Sequence, residues 1–398
     1  MRRLVAGLAL VGAVSAPLAA QEALLPSAGW GVGMGMSAWY FSESMPQAGG
    51  PLRAVAEFAL PFRVRTVFGR WTMDLTGAGM YGAAAFIPPD SVEDGEGRLV
   101  SLTGPTDLKL RVGGPIVGDN LLLTLGLNIP TGKVGLSGDE TNALQALGAP
   151  ALRMPVASLG TGAGATLGVV RAFDLGGWAL ALGASAEQRS EYSPIALALA
   201  SGTSETQITP GMAMHFTAGL DRPVGQSRLS LLVVSDIFSE DALAISDDPS
   251  AATSYTLGPQ MTALSRLEFN GKGWRSGELQ LSARMRSQFS DAAGEKVEGS
   301  SGTYIEGSLG GILGGEGRTG LILGTDFRMH SGLTFTDALV GAATTAAGLS
   351  LGWESPRDRS VFRFVLRGQY GTFDTGVTKT TGMGVTLGMS VAARREAR

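Results

Sequence analysis

Residues 383–391, MGVTLGMSV, decide the fold. Met383, Val385, Leu387, Met389 and Val391 alternate with Gly384, Thr386, Gly388 and Ser390. A period of two puts the apolar set on one face of an extended strand and the small, polar set on the other. The same division recurs upstream with charges on the second face. Leu279, Leu281, Ala283 and Met285 share one parity, while Glu278, Gln280, Ser282, Arg284, Arg286 and Gln288 share the other. Phe362, Phe364, Leu366 and Tyr370 oppose Arg363, Arg367 and Gln369, and Leu229, Leu231, Val233 and Ile237 oppose Arg228, Ser230 and Asp236. Earlier still, Ala54, Ala56, Phe58, Leu60 and Phe62 oppose Arg53, Glu57, Arg63 and Arg65, and Leu108, Leu110 and Val112 oppose Asp107, Lys109 and Arg111. No soluble sandwich needs so charged an inner face. A closed transmembrane barrel does, because a charge turned toward lipid at the midplane costs about 2–4 kcal/mol and is therefore turned inward.

The rest of the chain narrows the choice. Its 398 residues include 59 glycines, 18 prolines and no cysteine, with a formal net charge of -4. The absence of thiols excludes disulfides, thiolate metal sites and a cysteine nucleophile. There is no basic stripe of the kind that phosphate neutralisation requires, so nucleic acid is not an expected partner. After the N-terminus no run of about 18 uncharged apolar residues exists to make a membrane helix, and a closed barrel is the remaining spanning structure. The N-terminus itself reads as a Sec-type signal peptide over residues 1–20: Arg2 and Arg3, an apolar run from Leu4 to Val14, then small residues at Ala19 and Ala20 near the cleavage point. Residues 21–398 then form a single outer-membrane domain, whose expected partners are outer-membrane lipid and a small-molecule solute.

Connections supply an independent signal. Tight turns fall at 118–120, 174–177, 224–227, 270–273, 314–317 and 355–358, and longer polar segments fall between them at 86–103, 130–157, 190–206, 239–253, 290–301, 331–343 and 371–380. Short turns on one side and long loops on the other are the pattern of outer-membrane barrels. Counting from Gly31 gives an all-β antiparallel barrel of about 16 strands, with 12 or 14 as alternative divisions and both termini periplasmic. The stretch from Leu52 to Tyr81 admits more than one division. Residues 138–148, with Asp139 and Glu140 leading and Gly148 closing, predict a short helix. That loop either turns inward and narrows the pore or stays on the surface in water, and loop behaviour in general favours the surface.

The segment GPTDLKLRVGGPI (104–116), followed by LLLTLGLNIPTGK (121–133) and preceded by VFGRWTMDLTG (67–77), resembles outer-membrane β-barrel proteins associated with aromatic (phenol) meta-pathway degradation, a group distantly similar to long-chain fatty-acid transporters. The match runs from about Gly31 to Lys133. It implies passage of hydrophobic or aromatic small molecules, with Asp107 on a strand and Pro130 and Gly132 ending a strand at the outer rim.

Motifs for chemistry are few. Gly348-Leu349-Ser350-Leu351-Gly352 matches a nucleophile-elbow string, but its alternation is that of a strand, so no catalytic role is assigned to Ser350. Gly160, Gly162, Gly164 and Gly168 lack the following helix and lysine of a phosphate loop and fit a lumen-facing wall. Of the two histidines, His215 has inward parity and His330 lies near an outer strand end, neither with metal-ligand spacing. No metal, cofactor or catalytic residue is expected. The pore-lining candidates are the inward Arg284, Arg286, Arg328, Arg363 and Arg367, with Glu278, Glu306, Asp326 and His215. They form either a charge ladder that orients solutes or a salt-bridge network that stiffens the wall. Three functions follow in order: a channel or transporter for small organic molecules, a closed-lumen structural or surface-interaction barrel, and a lipid-modifying barrel enzyme.

Overall fold

The computed structural model describes residues 29–45, 50–87, 97–199, 202–245, 248–271, 273–332, 343–376 and 378–394, so the signal-peptide reading lies outside the described residues. In chain order the strands are β1 (Gly29–Met45), β2 (Leu52–Phe68), β3 (Trp71–Phe86), β4 (Arg98–Pro105), β5 (Leu108–Val117), β6 (Leu121–Ile129), β7 (Gly164–Asp174), β8 (Ala179–Arg189), β9 (Tyr192–Leu199), β10 (Gly202–Thr209) and β11 (Ala213–Val224). They continue as β12 (Ser227–Phe238), β13 (Glu240–Ile245), β14 (Asp248–Thr256), β15 (Gln260–Gly271), β16 (Trp274–Arg286), β17 (Gly302–Leu313), β18 (Gly320–Gly332), β19 (Ala343–Arg357), β20 (Ser360–Asp374) and β21 (Lys379–Arg394).

All but β9, β10, β13 and β14 belong to one antiparallel sheet, and β21 pairs with β1 from Gly29↔Arg394 to Phe41↔Gly382, closing it. Closure leaves the ladder no open edge along that seam. β4 and β5 share one position in the wall, since both pair with β3: β4 along Gly79–Phe86 and β5 along Thr72–Thr76. The barrel therefore has 16 staves, one of them broken at Thr106 and Asp107. At the break the Ala78 carbonyl accepts from the Thr106 amide at 2.8 Å and the Ala78 amide donates to Thr106 Oγ1 at 2.9 Å, so the wall stays hydrogen-bonded.

The two-residue period holds around the wall. Met383, Val385, Leu279, Leu281, Met285, Leu349, Leu351, Trp353, Leu366 and Tyr370 are exposed on the outside. Stave height is uneven. β1, β2, β3 and β21 run 16 or 17 residues, whereas β6 and β7 run 9 and 11. About 9 to 11 tilted residues cross a bilayer core, so the strands around the closure seam stand well above it.

The ambiguous stretch from Leu52 divides at a tight turn, Gly69–Arg70, with Gly69 in the left-handed region at φ 61°. Two expected loops, 190–206 and 239–253, are instead strands. β9–β10 and β13–β14 form a four-stranded sheet of their own, joined by β10–β13 pairing from Thr206↔Ile245 to Thr209↔Ala242. Each hairpin alone would be marginal, and the shared ladder is what makes extended backbone favourable here. Arg53 also departs from its expected inward parity. A register shift between Leu52 and Ala54 turns it to the outward face, where its guanidinium stacks 4.8 Å from the ring of Tyr40 and donates to the Tyr40 hydroxyl.

Candidate functional site

The segment between β6 and β7 enters the barrel. Its helix α1 (Gly138–Leu147) starts at a capping box, in which the Ser137 side chain accepts from the Glu140 amide and the Glu140 carboxylate accepts from the Ser137 amide. A short 3-10 turn, Pro150–Leu152, follows. Ala143, Ala146, Leu147, Ala149, Ala151, Leu152, Met154, Val156 and Leu159 pack against inward side chains of the wall, among them Trp39, Val55, Ala59, Met80, Ala84, Val100 and Leu102. This overturns the surface reading of the loop. Each fully buried Leu, Val or Met is worth about 1.5–3 kcal/mol, which a surface loop would forgo, and the inner faces of β1–β4 are apolar where the segment lies.

Side chains of four wall residues hydrogen-bond its backbone. The Trp39 indole donates to the Leu152 carbonyl at 2.9 Å, Arg328 Nε donates to the Ala151 carbonyl at 2.6 Å, and the Val156 amide donates to Glu57 Oε1 at 2.7 Å. The fourth is Asp107. Its Oδ1 accepts from the Gly132 amide at 2.8 Å, and its Oδ2 accepts from the Thr161 amide at 2.7 Å and from Asn128 Nδ2 at 2.8 Å. One buried carboxylate thus joins both feet of the insertion. Gly132 is required there, because a Cβ would lie 2.7 Å from Asp107 Oδ1 and 2.5 Å from Gly160 Cα. Asp107 accordingly stands at the break between β4 and β5, not on a strand as the family resemblance implied, while β6 ends at Ile129, just before Pro130.

The candidate charges fall into separate groups. Arg328, Arg367, Glu306 and Asp326 come together at the tip of the insertion. Arg367 forms a bidentate pair with Asp326, Arg328 donates to Gln369 Oε1 at 2.9 Å, and Arg153 of the insertion reaches Glu306 at 3.5 Å and Asp326 at 3.8 Å. Arg153 has φ 52°, the one positive value among described non-glycine residues. A left-handed conformation costs a residue of this kind about 1–3 kcal/mol, and here it directs the guanidinium between two carboxylates. Inside the same region Trp39 and Phe41 meet Phe373 edge to face at 5.5 and 5.2 Å, and Arg328 lies 5.5 Å from the Trp39 ring.

Arg363 lies apart from that cluster, sharing Glu354 with Arg275, each at 2.6 Å. Glu278 accepts from Arg266 at 2.7 Å. His215 Nδ1 lies 2.7 Å from Asp236 Oδ1, and Gln260 donates to the other oxygen at 3.0 Å. Arg284 and Arg286 stand on β16 beside His330 of β18, separated from it by Tyr304. Ser350 lies within β19, as its alternation indicated.

No protein family and no curated protein sequence matches the chain. Its outline is similar to those of solved outer-membrane proteins. OprB of Pseudomonas putida is 10% identical, with 92% of this chain and 93% of that one covered and a TM-score of 0.47. The CymD monoaromatic hydrocarbon channel is 9% identical, with coverages of 93% and 90% and a TM-score of 0.39. The outer membrane protein opdK of Pseudomonas aeruginosa is 12% identical, with coverages of 91% and 99% and a TM-score of 0.40. The resemblance to the meta-pathway group therefore rests on residues 31–133 alone.

Sequence reasoning missed Arg153, Trp39, Arg275 and Glu354. Trp39 carried a usable signal, since its parity opposes Ala38 and Tyr40 and sets a large aromatic among the glycines and serine of the inner face of β1. Arg153 had none, because a loop has no period from which to read direction.

Proposed function

We propose that this chain is an outer-membrane channel for small organic, hydrophobic or aromatic molecules, reached after removal of residues 1–20 and set with both termini in the periplasm. One observation carries the reading. Large apolar side chains are exposed around the outside of a closed barrel whose inside holds paired charges, an arrangement that water disfavours and a bilayer favours. The aromatic preference draws on the residues resembling the meta-pathway group. Purified, folded protein should give steps of conductance in planar bilayers and admit small aromatic alcohols in liposome swelling. Silence in both assays from folded protein removes the channel.

A closed-lumen structural barrel is the second reading, favoured by the number of ties that hold the insertion, and it predicts that silence. A lipid-modifying enzyme ranks below both, since His215 is engaged by Asp236 on the lumen side of the wall, away from lipid.

A further inference from the structure

Most inward charges of the wall are matched by a neighbour. Arg228 has Asp221 at 2.7 Å, Arg266 has Glu278 at 2.7 Å, Arg189 has Glu187 at 2.6 Å, and Arg363 and Arg275 share Glu354. Arg284 differs. Among the described residues it has no carboxylate or other hydrogen-bond acceptor, and Arg286 stands two positions along the same face of β16. In register Arg284 faces Tyr304 on β17 and Tyr304 faces His330 on β18. The Tyr304 and His330 rings meet edge to face at 5.7 Å and 82°, and His330 Nδ1 is enclosed without a partner. The carboxylates nearest in register are taken. Glu306 accepts the Tyr304 hydroxyl at 2.7 Å and faces Arg153 of the insertion at 3.5 Å, while Asp236 holds His215 and Gln260.

We infer that the row Arg284, Tyr304 and His330, beside the tip of the insertion, is a binding subsite for a small aromatic monocarboxylate. The guanidinium of Arg284 offers a planar fork that matches a carboxylate in two parallel hydrogen bonds. One uncompensated cation calls for one negative charge, which a monocarboxylate supplies and a phosphate exceeds. Arg286 adds to the attractive field, and the two rings present an aromatic surface against which a third ring can pack edge to face or offset. The inference deepens the channel reading and depends on it only for the consequence that the bound anion lies on the solute's path.

The test uses folded full-length protein in detergent micelles, with heat-dependent electrophoretic mobility as the check of folding. Benzoate, benzyl alcohol and inorganic phosphate are titrated by calorimetry, and the same preparation is recorded in planar bilayers. Benzoate should bind at least about tenfold more tightly than benzyl alcohol, and Arg284→Gln should weaken benzoate by about tenfold, the usual worth of a charge-assisted contact. Arg284→Lys, which keeps the charge and loses the fork, should fall between them and stands in if the glutamine variant does not fold. Equal binding of benzoate and benzyl alcohol, or unchanged benzoate binding in Arg284→Gln, overturns the subsite. Phosphate binding as tight as benzoate overturns its assignment to a monocarboxylate. Benzoate binding with a silent bilayer upholds the subsite and removes the channel; conductance without benzoate binding does the reverse.

Discussion

The two sides of the lumen are built on different principles. Where the insertion meets β1–β4, β19 and β20 the inner face is largely apolar and dry: Trp39, Phe41, Val55, Ala59, Met80, Ala84, Leu102, Ala346 and Phe373 are buried against the insertion or one another. Along β8–β16 it is a ladder of partly exposed ion pairs, such as Arg266 with Glu278, 38% and 37% exposed. The first side behaves like the core of a soluble domain held inside a membrane wall. The second resembles a protein surface rolled inward around water. A barrel wall thus needs only its outer face to suit lipid, and the inner face is free to be either core or surface.

Variants can break that contrast, and removing the clamp should do most. Asp107→Ala leaves the Gly132 and Thr161 amides without their acceptor, at about 1–3 kcal/mol for each buried orphan, while Asn128 keeps the Gly162 carbonyl. The insertion should lose protection from amide exchange across 132–161 while the wall keeps its own, and unitary conductance should rise. Retained protection in 132–161 would show that the apolar contacts alone hold the segment.

Next comes a pair of arginines. Arg328 is 1% exposed and bonds the Ala151 carbonyl and Gln369, so Arg328→Ala should cost about 3–5 kcal/mol by stranding buried partners. Arg266→Ala, on the wet side, should cost about 0–1 kcal/mol. Equal losses in denaturant titrations would erase the distinction between core and surface. A leucine pair sharpens it further. Leu152→Ala opens a cavity in the dry side and should cost about 2–5 kcal/mol. Leu281→Ala faces outward, where lipid replaces the lost methylenes, and should change little.

The smallest effect concerns acid. Burial alone would push the Glu140 carboxyl up, but Lys133 and the Ser137 amide outweigh it and hold the group below the usual carboxylate range. A depressed folded value means that its stabilisation is complete above the ordinary glutamate value and is lost as pH falls through the depressed one. Acidification below the ordinary glutamate range should therefore loosen the start of α1, read as faster amide exchange at 137–141. Glu140→Gln should remove that dependence.

The wall was legible in the sequence because its signal is strictly periodic. Met383 to Val391 and Leu279 to Met285 state their faces residue by residue, and side chains matched those faces except where the period breaks. Arg53 turned outward because a bulge resets parity by one position, and Asp107 left the ladder because one stave is split beside it. Neither irregularity has a marker in a single sequence. The helix at 138–147 was readable from its acidic first turn and closing glycine, yet its destination was not. Whether Ala143 and Leu147 meet water or wall depends on Met80, Ala84 and Leu102, which the chain brings near only by closing the barrel. The candidate charges show the same limit: parity placed them inside, but their partners lie on strands far apart in sequence, as with Asp326 and Arg367.

The shared foothold at Asp107 makes residues 132–161 a side branch of the chain. The branch leaves and rejoins the wall at one carboxylate, so its length is uncoupled from the register of β5, β6 and β7. Closing a loop twice as long costs only about 0.6 kcal/mol more once its ends are pinned. The length of the insertion between Gly132 and Thr161 is thus separate from the strand registers, whereas its apolar residues are matched to the inner faces of β1–β4 that they cover.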